Sequence, residues 1–246
     1  MPLFLSRNRP AYKTILDHGR KLVRTGTIAP VRDTCDTCNN GVLSSLDAYA
    51  AELDRLYFTR IVNSSPKVEF EYDFKRLLRW LLKITHNDDR SRQPPYETKP
   101  FVPFVLGVEP EPPLATTVLL GLITPGVTTR EQQTAGLPDV IEPESCGIGY
   151  LWYDQPAKDD IAFSRFVQIN SYLFDVIAWR AGVSRPVRHR HVVNICKIHR
   201  LFELRPGCKS VVATASMMDY LTFQDRFFER TSGYRDIRNS GANRSD

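Results

Sequence analysis

The feature that most constrains this chain is a change of hydrophobic period near residue 100. Upstream, "YDFKRLLRWLLKITH" sets Phe74, Leu77, Leu78, Leu81 and Ile84 on one helical stripe. Lys75, Arg76, Arg79 and Lys83 fall largely off it and are expected on a solvated face. Downstream, "TTVLLGLIT", "GIGYLWYD", "AFSRFVQINSYLFDVIAWR" and "HRHVVNICKIHRLFEL" are short β-branched and aromatic runs between Gly, Pro and charged turns. Such runs read as strands. A final helix is expected through "MMDYLTFQDRFFERT". Two periods in one chain predict an α+β fold. A small helical N-terminal part precedes a mixed or antiparallel β-sheet domain closed by a helix.

The division follows composition. Residues 1–92 form the N-terminal region, residues 93–100 a linker, residues 101–231 the sheet domain, and 232–246 a tail without apolar anchors, expected to be disordered. The linker expectation rests on "NDDRSRQPPYETKP", which is polar and carries three prolines. With 42% hydrophobic and 25% charged residues, the chain has the balance of a globular protein. No apolar run approaches a membrane span. "MPLFLSRNRP" places its arginines after a short apolar patch, unlike a signal peptide. A cytoplasmic protein is the expectation.

Charge is unevenly placed. From Gly107 to Ile161 there are nine acidic and two basic residues. From Arg180 to Lys209 there are eight basic residues, three histidines and only Glu203 in opposition. Arg185, Arg188, Arg190, Lys197 and Arg200 could therefore contact phosphates without sequence preference. Alternatively, Arg188 and Arg190 pair with Glu142, Glu144, Asp159 and Asp160 inside the fold. On a strand, His189 and His191 would share one face, and Cys196 and His199 would point oppositely. Val193, Ile195 and Ile198 would then contribute to the core.

"RDTCDTCNNGVLSSLD" adds a chemical motif. Cys35 and Cys38 aim two sulfurs at one point, which suits half of a tetrahedral zinc site. A helix is expected to start after "NNGVL", with Ser44 and Asp47 as a capping box. The cysteines lie in the turn before it, which favours metal over thioredoxin-type redox chemistry. Cys146, Cys196 and Cys208 read as buried hydrophobes.

The stretch "CDTCNNGVLSSLD" resembles the zinc-associated HNH endonuclease-like proteins, in which a Cys-x-x-Cys-Asn knuckle leads into a helix. The resemblance covers roughly residues 12 to 87, and its specific part is Cys35 to Asp47. It implies a ββα-metal unit with Cys35 and Cys38 as a zinc-binding pair. Asn39 would supply a catalytic-metal ligand in place of the usual His. Asp17 would be a ligand to magnesium or manganese, and His18, seventeen residues before Cys35, the general base for water. The upstream Cys-x-x-Cys is missing here, and "GRKL" replaces the Pro that commonly follows the acidic-His pair. The family member implied is therefore incomplete, with zinc bound weakly or only with missing upstream sequence. "AYKTILDHGRKLV" can also be read as a helix, which would put Asp17 and His18 in solvent.

Two functions stand open on these residues. One is an HNH endonuclease-like protein, truncated or degenerate, that binds or cleaves nucleic acid, with DNA as partner. The other is a non-enzymatic α+β binding or interaction module in which Cys35 and Cys38 merely close a turn.

Overall fold

The computed structural model describes residues 14–16, 22–24, 39–90, 97–144, 146–151, 153 and 157–226, the first two segments and Asn39 as backbone. Strands β1 (Thr14–Leu16) and β2 (Leu22–Arg24) pair antiparallel, Ile15 opposite Val23. The helical alternative for this stretch is thereby replaced by a strand pair. A π-helical turn, Asn39–Leu43, leads into helix α1 (Ser44–Leu53), which is continued by a second π turn, Asp54–Phe58. The expected capping box at Ser44 does not form. Leu43 is the N-cap residue and makes no side-chain cap. The incoming backbone is already helical, so Ser45 bonds back to the Val42 carbonyl at 2.8 Å, and Asp47 is used elsewhere.

Strand β3 (Val68–Glu71) precedes helix α2 (Phe74–Arg90). Asp73 starts α2, because its Oδ1 accepts the Arg76 amide at 3.0 Å. The helix buries Leu77, Leu78, Trp80, Leu81, Leu82 and Ile84, as its apolar stripe requires. Trp80 stacks near Phe58 with ring centroids 6.4 Å apart. Each such side chain contributes about 1.5–3 kcal/mol on burial.

The solvated-face expectation for the α2 charges fails at two of four positions. Lys83 is buried and donates to the Leu43 carbonyl at 3.1 Å and to Asp47 at 2.6 Å. Arg79 donates twice to the Val105 carbonyl, at 3.0 and 2.7 Å. Both are half or more enclosed because α1 and the helical segment 99–105 fold back over α2.

The main sheet contains β4 (Thr116–Thr124), β7 (Cys146–Tyr150), β8 (Ile161–Ile169), β9 (Tyr172–Trp179) and β10 (Phe202–Leu204). Small pairs are made by β5 (Gly126–Val127) with β6 (Val140–Ile141) and by β3 with β11 (Ser210–Ala213). The main order is β10-β4-β9-β8-β7, all antiparallel, with β12 (Met218–Asp219) added parallel to β4. The strands β4, β8 and β9 therefore stand where their sequence runs placed them.

Two-sided burial explains why those runs show little alternation. Val118, Leu120, Phe174 and Val176 face α1 and α2 in one core. Leu119, Ile177 and Trp179 face the other way, against helix α3 (Arg185–His199). Leu173 and Ile123 meet Phe223, from the helical residues 220–226 that close the sheet as expected. The fold is thus α+β with helices on both faces of an antiparallel sheet. The first core runs from Leu43 to Ala213, so residues on both sides of the expected linker contribute to it.

The β8–β9 turn is buried. Asn170 takes a left-handed φ of 49°, which asparagine tolerates, and donates to the Phe58 carbonyl at 2.6 Å. Ser171 accepts the Val62 amide at 2.9 Å. This turn pins the segment after α1 to the sheet.

Candidate nucleic-acid interface

Residues 185–199 form a helix rather than the expected strand. The four β-branched residues Val192, Val193, Ile195 and Ile198 suggested a strand, yet burial recurs every three to four positions. His191, Val192 and Ile195 are the buried side. Start and stop signals agree with that period: Ser184 is extended at the N-cap, Pro186 lies in the first turn, and Arg200 ends the helix left-handed at φ 53°. Tertiary packing on Trp179 and Ile177 decides the outcome over β-propensity.

His191 anchors the inner face. Its Nε2 lies 2.7 Å from Asp160 Oδ2, and its ring stacks on Trp179 at 5.9 Å between centroids. Just past the helix, Leu201 packs over Gly121, where a Cβ would lie 2.7 Å from Leu201 Cδ2. Glycine at 121 thus lets the end of α3 approach the sheet closely.

The outer face carries the charge. Arg185, His189, Arg190, Lys197 and Arg200 are exposed, and Arg188 is half-buried. Arg190 and Lys197, two turns apart, share one face. Val193 and Ile198, expected in the core, are 48% and 72% exposed. On a helix His189 and His191 point apart, which dissolves the expected shared histidine face.

The alternative of internal pairing finds little support in the geometry. Among the described residues the side-chain contact joining the acidic and basic segments is the His191–Asp160 hydrogen bond. Arg185, Arg188, Arg190, Lys197 and Arg200 make no ion pair with described residues. The first turn of α3 holds no acidic residue, and Arg185 and Arg188 stand there against the positive end of the helix dipole. Cations at that end weaken the helix unless an anion sits nearby. The local field therefore favours an external anion.

Two buried polar clusters were not legible in the sequence. On the α2 side of the sheet, fully buried Arg165 pairs with Asp89 and lies 3.5 Å from Asp88 Oδ2. Its guanidinium sits 3.6 Å above the Tyr150 ring. Asp89 also accepts the Thr98 hydroxyl at 2.5 Å and amide at 3.2 Å. Burial lowers the Arg165 pKa to about 10, against the pull of Asp88. Residues 87–90, in the polar stretch that suggested a linker, thus complete α2, and Thr98, within the expected linker, joins Asp89 in a buried junction.

On the α3 side, fully buried Asp175 accepts hydrogen bonds from Tyr153 and, at 2.7 Å, from Ser164. Burial pushes its carboxyl up to about 7, opposed by those two donors. Enclosed as it is, this cluster holds the segment at Tyr153 to the sheet.

Asp17, His18, Cys35 and Cys38 lie outside the described residues. Asn39 begins the π-helical turn before α1. Among the described residues no group of three or more His, Cys, Asp or Glu side chains could hold a metal ion. Cys146 and Cys208 are exposed rather than buried, and Cys196 is half-buried. Burial raises the Cys196 thiol to about 11, which disfavours its thiolate at neutral pH. Among the described residues no helix is long and apolar enough to cross a membrane. The chain matches no protein-family model, no curated protein and no solved structure.

Proposed function

We propose that this protein binds the phosphate backbone of nucleic acid through the outer face of α3. The observation that carries the reading is a row of exposed cations, Arg185, Arg190, Lys197 and Arg200, without ion pairs among the described residues, on a helix whose first turn lacks any carboxylate. A surface of this kind gains energy by releasing counterions from DNA.

The sequence resemblance to HNH endonuclease-like proteins adds a second element. The order β1, β2, α1 supports it, since two strands and a helix are what a ββα-metal unit requires. In that reading Cys35 and Cys38 hold zinc. Asp17 and Asn39 would hold magnesium or manganese, and His18 would take a proton from water. In this reading the chain is an incomplete HNH endonuclease-like protein, truncated or degenerate and cytoplasmic, in which binding outlasts cleavage. A wholly non-enzymatic module remains compatible with the same α3 surface.

Salt dependence tests the proposal. Duplex DNA affinity of the intact chain should fall steeply with salt concentration. The double variant Arg185→Ala, Lys197→Ala should reduce the log–log slope by about 1.8, because each lost phosphate contact removes about 0.9 released counterion. An unchanged slope would remove α3 from the interface.

A further inference from the structure

Phosphate attraction does not use the whole outer face of α3. Between the cations the helix exposes Val193, Asn194 and Ile198, and an apolar side chain 72% exposed gains nothing from a phosphate. Positions 190, 193, 194 and 197 form one contiguous seam, as spacings of three, four and seven residues require. Arg185 and Arg200 stand at the two ends of that seam. Its centre carries the side chains that read base edges. Arginine matches guanine O6 and N7, asparagine matches adenine N6 and N7, and an aliphatic group contacts the thymine methyl.

We propose that α3 enters the major groove of duplex DNA and reads a short sequence there. Arg190, Val193 and Asn194 would contact bases, while Arg185 and Arg200 would hold the backbones at the two ends of the seam. This rests on the phosphate-binding reading above.

Dimensions agree. Fifteen residues of helix span about 22 Å and fit a groove about 12 Å wide. His191 and its contact with Asp160 turn the seam outward by fixing the opposite side of the helix against Trp179. The deep, narrow major groove of A-form RNA does not admit a helix, so the duplex in question is DNA.

The test is selection from a random-sequence duplex DNA library with the full chain, followed by affinity measurements on the enriched duplex. Enrichment of a motif of about three to five base pairs is expected, as one groove-reading helix covers. Asn194→Ala should abolish the preference at one adenine, losing roughly tenfold in discrimination. It should leave the melting temperature, the salt slope and the affinity for scrambled duplex unchanged. Val193→Ser provides a second variant and should relax a thymine position. A library that stays random while salt-dependent binding persists would overturn base reading and leave phosphate binding standing. Equal or tighter binding to double-stranded RNA would also overturn it. Absence of any duplex binding would sink both.

Discussion

Arg165 and Arg190 lie on opposite sides of one sheet and meet opposite fates. Arg165 is fully enclosed, held by Asp88 and Asp89 and stacked on Tyr150. Arg190 is exposed on α3, with no carboxylate partner among the described residues. A buried cation must be compensated inside the fold, since an isolated one costs several kcal/mol. An exposed row of cations needs no internal partner and is balanced by whatever anion arrives. The first arrangement builds the protein. The second leaves charge available for a ligand.

Removing a member of the enclosed pair should have the largest effect. Arg165→Ala leaves Asp89 buried without its cation and should cost about 3–5 kcal/mol in urea unfolding at neutral pH. A loss under about 1 kcal/mol would show that Arg165 does not carry the junction between α2 and the sheet. DNA affinity measured where the variant is folded should be unaffected.

Asp175 gives a smaller, pH-dependent effect. Its folded pKa, about 7, lies above the ordinary 3.8, so the folded state holds the proton more tightly than the unfolded chain. Stability from this group is therefore full below about pH 4 and is lost as pH rises through 7. Asp175→Asn should remove that slope, with the difference from wild type reaching on the order of 3–4 kcal/mol between pH 4 and 8. Parallel stability profiles for the two proteins would place the carboxyl in a different state.

The sequence made the strands visible because β4, β8 and β9 are covered on both faces and need continuous apolar runs. The stripe of α2 was equally plain, from Leu77 to Ile84. Missing from view were features created by chain segments meeting at a distance. Lys83 looked solvated because nothing local shows that Leu43 and Asp47 return to it. The junction of Asp89 with Thr98 sat in a polar, proline-rich stretch that imitates a linker. In α3 the composition was β-like, and the signals that decide it, Ser184 and Pro186, were outweighed by the run of valine and isoleucine. The candidate interface was nonetheless legible as charge. The same arginines appear on a helix instead of a strand, and that change brings Asn194 into their seam.

The exposed row should matter least to folding and most to binding. Arg185→Glu, Arg190→Glu and Lys197→Glu combined in one chain test this in a single preparation, by thermal melting beside duplex DNA binding at about 0.1 M salt, where the Debye length is about 10 Å. The account predicts a melting temperature equal to wild type or slightly higher, because like charges are separated, together with loss of DNA binding. A lowered melting temperature with DNA affinity retained would contradict it, showing that these cations pair within the protein.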